Sequence, residues 1–298
     1  MFLTVCLNPT LQKTLIVEKL VSDAINRSRQ FYFDISGKGI NVSRVLTQLG
    51  EKVIHCTHLG GCFTDFFLIQ AERERIPVEY VSSDSEIRFA MTVIDSTNHT
   101  ATELLEEGIP VSRTTEDKIR NLFLTLIGRS HTVILSGTTA PGYSASIFAW
   151  MTEQAKEQNK TVICDFRGAD LHTALHFAPD VIKPNLFEFI HTFLPEYRER
   201  ESEASEAVRE MMAELFRSFS SKIIITDGSG PIRYIDENGY AEMMPQQLTP
   251  ANTIGCGDAF TAGFASAYHR NSDFLKAIRK GEECARLNAL SIRPGSIV

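Results

Sequence analysis

The chain lacks the features that mark several large functional classes. Basic charge is not in excess: 30 Lys and Arg stand against 37 Asp and Glu, a formal net charge of −7. That argues against nucleic acid or an anionic membrane as partner, since either would need a basic face. Cysteine is sparse and unpatterned. The six, at positions 6, 56, 62, 164, 256 and 284, form no Cys-x-x-Cys pair and no Cys/His grouping at zinc spacing. They are expected to be buried small residues in a reducing compartment. No apolar run approaches the ~20 residues of a membrane span. The opening Met1-Phe2-Leu3-Thr4-Val5-Cys6-Leu7-Asn8-Pro9 carries no basic leader or cleavage site, so a cytoplasmic protein is expected. No Gly-x-x-x-x-Gly-Lys-Ser/Thr occurs, which excludes a P-loop, and no internal repeat is visible.

What is present suits an ordinary globular core: 298 residues, 43% apolar and 22% charged. Phe2 to Leu7 predicts a buried strand stopped by Asn8-Pro9. A helix is predicted after Gly37, where Ile40, Val42, Val45, Leu46 and Leu49 mark one face and Gly50 ends it. Val53 to Leu59 and Ile76 to Val81 predict strands around a helix over 63–75. From about residue 112, helices near 114–128, 144–158, 185–193 and 203–218 alternate with strands at 131–136, 161–165, 180–183 and 222–226. That rhythm predicts a largely parallel sheet covered on both faces. Ile232 to Ile235 and Tyr240 to Met244, joined by Asn238-Gly239, predict a hairpin, and helices from Asp258 and Ser272 close the chain. Two β-like excursions, about 13–34 and 86–108, predict a small separate sheet serving as a lid on a single domain of 1–298.

The chemistry concentrates in Asn252-Thr253-Ile254-Gly255-Cys256-Gly257-Asp258, followed by the small-residue run from Ala259. Glycines at a helix N-terminus let backbone N–H groups turn toward an anion, and Asp258 both caps such a helix and could take a proton from a hydroxyl. Taken alone, Gly-x-Gly-Asp is as often a capped loop. Phe260 stands at the third glycine of a dinucleotide fingerprint, so that reading is disfavoured.

Ligands of doubly wound sheets gather at strand carboxyl ends. Those ends carry Asn8 and Gln12, then Ser36-Gly37-Lys38-Gly39-Ile40-Asn41, Ser136-Gly137, Lys183-Pro184-Asn185 with Glu188, and Asp227-Gly228. Each has a plain structural alternative. Lys38 and Arg88 alone would be solvated cations, Asn185-x-x-Glu188 a helix start, and Asp227-Gly228 a turn.

Ser36 to Arg44 and Asn252 to Ala265, with Asn185-x-x-Glu188 between them, resemble the two signatures and the linking motif of ribokinase-like (PfkB) carbohydrate kinases. The resemblance spans essentially the whole chain. Leu7-Asn8-Pro9 and Gly37 to Val42 are similar to the branch holding 1-phosphofructokinase and tagatose-6-phosphate kinase. The resemblance implies a three-layer α/β/α sandwich with a β-sheet lid, and ATP and Mg²⁺ as co-substrates. It also implies phosphoryl transfer to a hydroxyl of a sugar phosphate. On it, Asp258 is the base and Gly255-Cys256-Gly257 the anion hole. Asn185 and Glu188 organise Mg²⁺ through water, and Lys183, Asn185, Thr226, Asp227, Gly228 and Gly257 meet the nucleotide. Gln12, Arg27, Gly37, Lys38, Asn41, Arg88 and Ser136 meet the acceptor, with Arg27, Lys38, Arg88 and Ser136 on its phosphate. A homodimer through the lid is a further expectation.

The chain departs from the pattern at Gln12, where the family has Asp. An amide keeps one acceptor oxygen but adds a donor and drops the charge. Ser36 replaces a glycine, and Glu103-Leu104-Leu105-Glu106 replaces a Glu followed by Asn. These departures bear on the acceptor. The alternatives are a kinase of an unphosphorylated sugar or nucleoside, and a catalytically weak sugar-phosphate sensor.

Overall fold

A computed structural model describes residues 1–298. Its main sheet has nine strands: β1 (Phe2–Cys6), β4 (Val53–Leu59), β5 (Val78–Ser82), β8 (Thr132–Ser136), β9 (Thr161–Asp165), β10 (Val181–Ile182), β11 (Lys222–Ile225), β12 (Ile232–Asp236) and β13 (Gly239–Met243). Their order is β13-β12-β11-β10-β9-β8-β1-β4-β5. Along that order the pairs from β5 to β11 are parallel; the β11–β12 and β12–β13 pairs are antiparallel, the latter joined at Asn238-Gly239, so β12 alone is reversed.

Strand side chains alternate between two cores, which is the physical content of the apolar runs. Leu3, Val5, Val133, Leu135, Val162, Cys164, Ile223 and Ile225 face one core. It is closed by α3 (Arg113–Ile127), α4 (Ile147–Glu157), α5 (Ala169–Leu175), α6 (Leu186–Phe193) and α7 (Ser205–Phe219). Phe2, Ile134, Ile163 and Ile224 face the other, against α1 (Lys38–Gln48), α8 (Cys256–Asn271) and α9 (Phe274–Leu290). The result is a three-layer α/β/α arrangement, as expected.

A second, four-stranded sheet has the order β3-β2-β6-β7, from β2 (Thr10–Val17), β3 (Gln30–Ser36), β6 (Arg88–Asp95) and β7 (Thr100–Leu105). The central pair β2 and β6 is parallel and the outer pairs antiparallel. Leu11 and Ile35 anchor it on Phe67 and Ala71 of α2 (Thr64–Arg73). Two expectations are corrected. β2 begins at Thr10, directly after Asn8-Pro9, so Gln12 lies within the small sheet and not in a loop after β1. The helix α5, seven residues long, was not expected.

Candidate active site

A cavity of about 370 Å³ lies between the small sheet and the carboxyl ends of the main strands. Thr10, Gln12, Arg88, Ala90, Glu103 and Leu105 line it from the small sheet, and Gly37, Lys38 and Asn41 from the start of α1. The carboxyl ends of the main strands and the segments just after them contribute Asn8, Gly137, Asp165, Lys183, Asn185 and Thr226, the first turn of α6 adds Glu188, and the start of α8 adds Ile254, Gly255, Gly257 and Asp258. A smaller pocket of about 210 Å³ shares Lys38, Asn185 and Glu188 and adds Phe166, Arg167 and Phe187.

Two glycines are needed here for different reasons. Gly255 precedes α8 with φ 81°, and a Cβ on it would lie 2.4 Å from the Gly295 nitrogen. A Cβ on Gly39 would lie 2.7 Å from Cys6 Cβ, so glycine lets the first turn of α1 press on β1. The Cys256 N–H reaches Thr253 O at 3.4 Å, while the N–H groups of Gly257 and Asp258 have no backbone partner. Those unpaired donors at the positive end of a sixteen-residue helix suit an anion.

Asp258 does not cap α8, contrary to expectation, because Gly255 holds the N-cap position without a side-chain bond. Its Oδ2 instead accepts from Asn41 Nδ2 at 2.8 Å. Burial raises the Asp258 carboxyl to about 7, and Asp165 adds to this, while Lys38, Asn41 and Lys183 oppose it. The carboxyl therefore changes protonation state near neutral pH.

Asp165, at the end of β9, went unremarked in the sequence. Only 1% exposed, it joins Lys38 Nζ at 3.3 Å and Lys183 Nζ at 3.4 Å, and accepts from Thr261 Oγ1 at 2.7 Å. Burial would raise its pKa, but Lys183, Lys38 and Thr261 together hold it below the usual carboxylate range. The signal that could have found it was its place at a strand carboxyl end. Lys38 also meets Glu188 Oε1 at 2.8 Å. Burial alone would lower the Lys38 pKa, yet Asp165, Glu188 and Asp258 push it well above the ordinary lysine range.

Asn185 and Glu188 form a reciprocal capping box at the start of α6: Glu188 N donates to Asn185 Oδ1 at 2.7 Å and Asn185 N to Glu188 Oε2 at 3.0 Å. The expected helix start is therefore present, and both residues also line the cavity. Arg88 is the cavity cation without a carboxylate partner; its Nε donates to Thr10 Oγ1 at 3.0 Å and Nη1 to the Glu106 carbonyl at 3.3 Å.

Five expected residues stand apart from the lining. Arg27 lies on the exposed segment between β2 and β3. Ser136 is buried beneath Gly137, its Oγ unpartnered. Asp227 pairs with Arg233 at 3.2 Å, and Gly228, exposed, turns the chain toward β12. Cys256 is half-buried against Asn288, 3.3 Å from Sγ to Nδ2, and burial raises its thiol pKa. Gln12 is 3% exposed and donates from Nε2 to Thr92 Oγ1 at 2.6 Å. One of its two amide donors is thus engaged inside the small sheet, while the residue also lines the cavity.

The chain is 27% identical to tagatose-6-phosphate kinase of Staphylococcus epidermidis, an alignment covering 100% of this chain and 94% of that protein. Among solved structures it is similar to a Thermotoga maritima protein described as "Possible 1-phosphofructokinase", with TM-score 0.89, 21% identity, and coverage of 98% of this chain and 93% of that one. The tetrameric inhibited form of phosphofructokinase-2 from Escherichia coli superposes with TM-score 0.86 at 20% identity, over 97% and 94% of the two chains. No helix is long and apolar enough to cross a membrane. Residues 10–296 match the family described as pfkB family carbohydrate kinase, and the chain belongs to that family.

Proposed function

We propose that this chain transfers the γ-phosphoryl group of ATP to a hydroxyl of a ketohexose phosphate of the fructose 1-phosphate or tagatose 6-phosphate type. The names of its relatives support the substrate class. The observation that carries the reading is a single cavity. It holds a carboxyl with a pKa of about 7, two lysines on a shared aspartate, and an arginine free of ion pairs.

In this reading the acceptor hydroxyl gives its proton to Asp258 Oδ1, since Oδ2 is held by Asn41. As that O–H bond breaks, the acceptor oxygen bonds to the γ-phosphorus, and the bond from that phosphorus to the bridging oxygen of ADP breaks. The free N–H groups of Gly257 and Asp258, at the Gly255-Cys256-Gly257 turn, receive charge on the transferring group. Lys183 and Thr226 meet the nucleotide, with Asp227 and Gly228 framing the turn beyond. Arg88 holds the acceptor's phosphate, and Gln12 offers its carbonyl oxygen to a sugar hydroxyl.

Asn185 and Glu188 fit Mg²⁺ held through water. No group of three His, Cys, Asp or Glu could cage a metal directly. Both Glu188 oxygens already accept hydrogen bonds, and Mg²⁺ commonly keeps several waters. When bound, it would neutralise charge on the phosphates.

The four-stranded sheet acts as a lid over the acceptor, making 1–298 one kinase domain. Its edge strand β7 is exposed along its whole length, with Leu104 and Leu105 uncovered, which supports pairing with a second copy. A monomer by light scattering at working concentration refutes that pairing.

A second reading, a kinase of an unphosphorylated sugar, is favoured by one observation: Lys38 is already paired with two carboxylates, and Arg27 lies outside the cavity. ADP release with a panel of sugars and sugar phosphates separates the two. Turnover confined to unphosphorylated acceptors overturns the first reading, and binding of a sugar phosphate without turnover points to a sensor.

A further inference from the structure

Behind Asp258 runs a chain of alternating charges that phosphoryl transfer itself does not use. Arg44, 2% exposed, donates from Nη1 to Asn41 Oδ1 at 2.9 Å and to the Pro294 carbonyl at 3.1 Å. From Nη2 it donates to the Ile35 carbonyl at 2.6 Å, and from Nε to Glu74 Oε2 at 2.6 Å. Glu74 Oε1 accepts from Arg293 Nη2, and Arg293 Nε meets Asp34 Oδ1 at 2.7 Å. The series therefore reaches from α8, through α1 and the C-terminal segment, to β3 of the small sheet.

We propose that Arg44 is a positioning residue for Asp258, acting through Asn41, and that Glu74 and Arg293 extend this support to Asp34 in the small sheet. The proposal rests on the reading of Asp258 as proton acceptor. With Arg44 donating to Asn41 Oδ1, the Asn41 amide has one satisfactory orientation, with Nδ2 toward Asp258. A flipped amide would set N–H against N–H at Arg44 and oxygen against the carboxylate. A buried ion pair is a poor source of stability, because desolvation offsets its attraction. Holding one arrangement is the better account of so many charges here. The C-terminal segment fits this: a Cβ on Gly295 would fall 2.5 Å from Asn41 Cβ, so the segment abuts Asn41 directly.

The charged and titratable groups facing Asp258 are Lys38 on α1, Asp165 at the end of β9, Lys183 after β10, Cys6 on β1 and Cys256 on its own helix. Arg44→Lys leaves all of them in place and keeps the buried positive charge, but cannot reproduce the forked donation. An unheld Asn41 stabilises the carboxylate less, so the acidic limb of kcat/KM moves to higher pH.

The test compares the parent, Arg44→Lys, Asp258→Asn and the double variant by ADP release across pH. Arg44→Lys is expected to lose about tenfold in kcat, keep KM for ATP within about twofold, and move the acidic limb up by about half a unit. In the Asp258→Asn background it should cost nothing further. A multiplicative loss in the double variant, or an unmoved limb, overturns the proposal. If Asp258→Asn alone stays near the parent, the reading of Asp258 fails instead. Should Arg44→Lys not fold, Arg293→Gln, on a partly exposed side chain, carries the same comparison. A smaller loss that vanishes without Asp258 supports the network, and a loss that persists overturns it.

Discussion

Replacing Asp258 by Asn should weaken catalysis and strengthen the fold at the same time. The amide keeps an acceptor for Asn41 Nδ2 and nearly the same volume, so geometry at the start of α8 survives while the proton acceptor does not. Loss of a base costs typically ~10²–10⁴-fold in kcat. Stability should move the other way. Burial lifts the carboxyl from 3.8 to about 7, which at ~1.4 kcal/mol per pH unit corresponds to up to about 4 kcal/mol against the charged folded state. A raised folded pKa means that this group's contribution to stability is full below 3.8 and is lost as pH rises through about 7. The Asn variant should thus exceed the parent in Tm most clearly at pH above 7, and the gain should shrink toward pH 4. ADP release and thermal melts on the same preparations read both effects. A kcat within about threefold of the parent refutes the base, given the ~10²-fold minimum, and a Tm gain independent of pH refutes the electrostatic account.

Arg88→Ala should raise KM for a phosphorylated acceptor by roughly 10–100-fold, the loss of a charge-assisted bond of ~1.5–3 kcal/mol, with KM for ATP unchanged; equal effects on both would remove Arg88 from the acceptor's phosphate. Gln12→Asp, which removes the donor to Thr92, should shift relative kcat/KM among fructose 1-phosphate, tagatose 6-phosphate and their unphosphorylated sugars by about tenfold. Superimposable profiles would show that position 12 does not select the acceptor. Gly255→Ala meets the Gly295 backbone at 2.4 Å in a left-handed conformation, so calorimetry should register a loss of about 1–3 kcal/mol; an unchanged Tm would mean that the C-terminal segment yields freely.

The strand and helix alternation, the two chemical loops and the small sheet were all legible in the sequence. Each is written in a local signal: a run of apolar residues, a periodic face, or a glycine pair at a helix start. The helix at 169–175 was not, because seven residues are too few to declare a period against Gly168 and the apolar residues that follow. Partnership is a different kind of information. Lys38 looks like a free cation until strand order brings Asp165 and Glu188 against it from 127 and 150 residues away. Asp165 looks like the polar end of a strand until two lysines converge on it. Arg27, grouped with them by resemblance, stays on an exposed connection, and Gln12 turns its amide to Thr92 only because β2 and β6 pair in parallel. The sequence by itself determined which elements form and which faces they bury, since burial follows the period of neighbouring residues. Only the tertiary structure decided which charges are already neutralised and which remain for a ligand, because those partners are chosen by the order of strands and not by proximity along the chain.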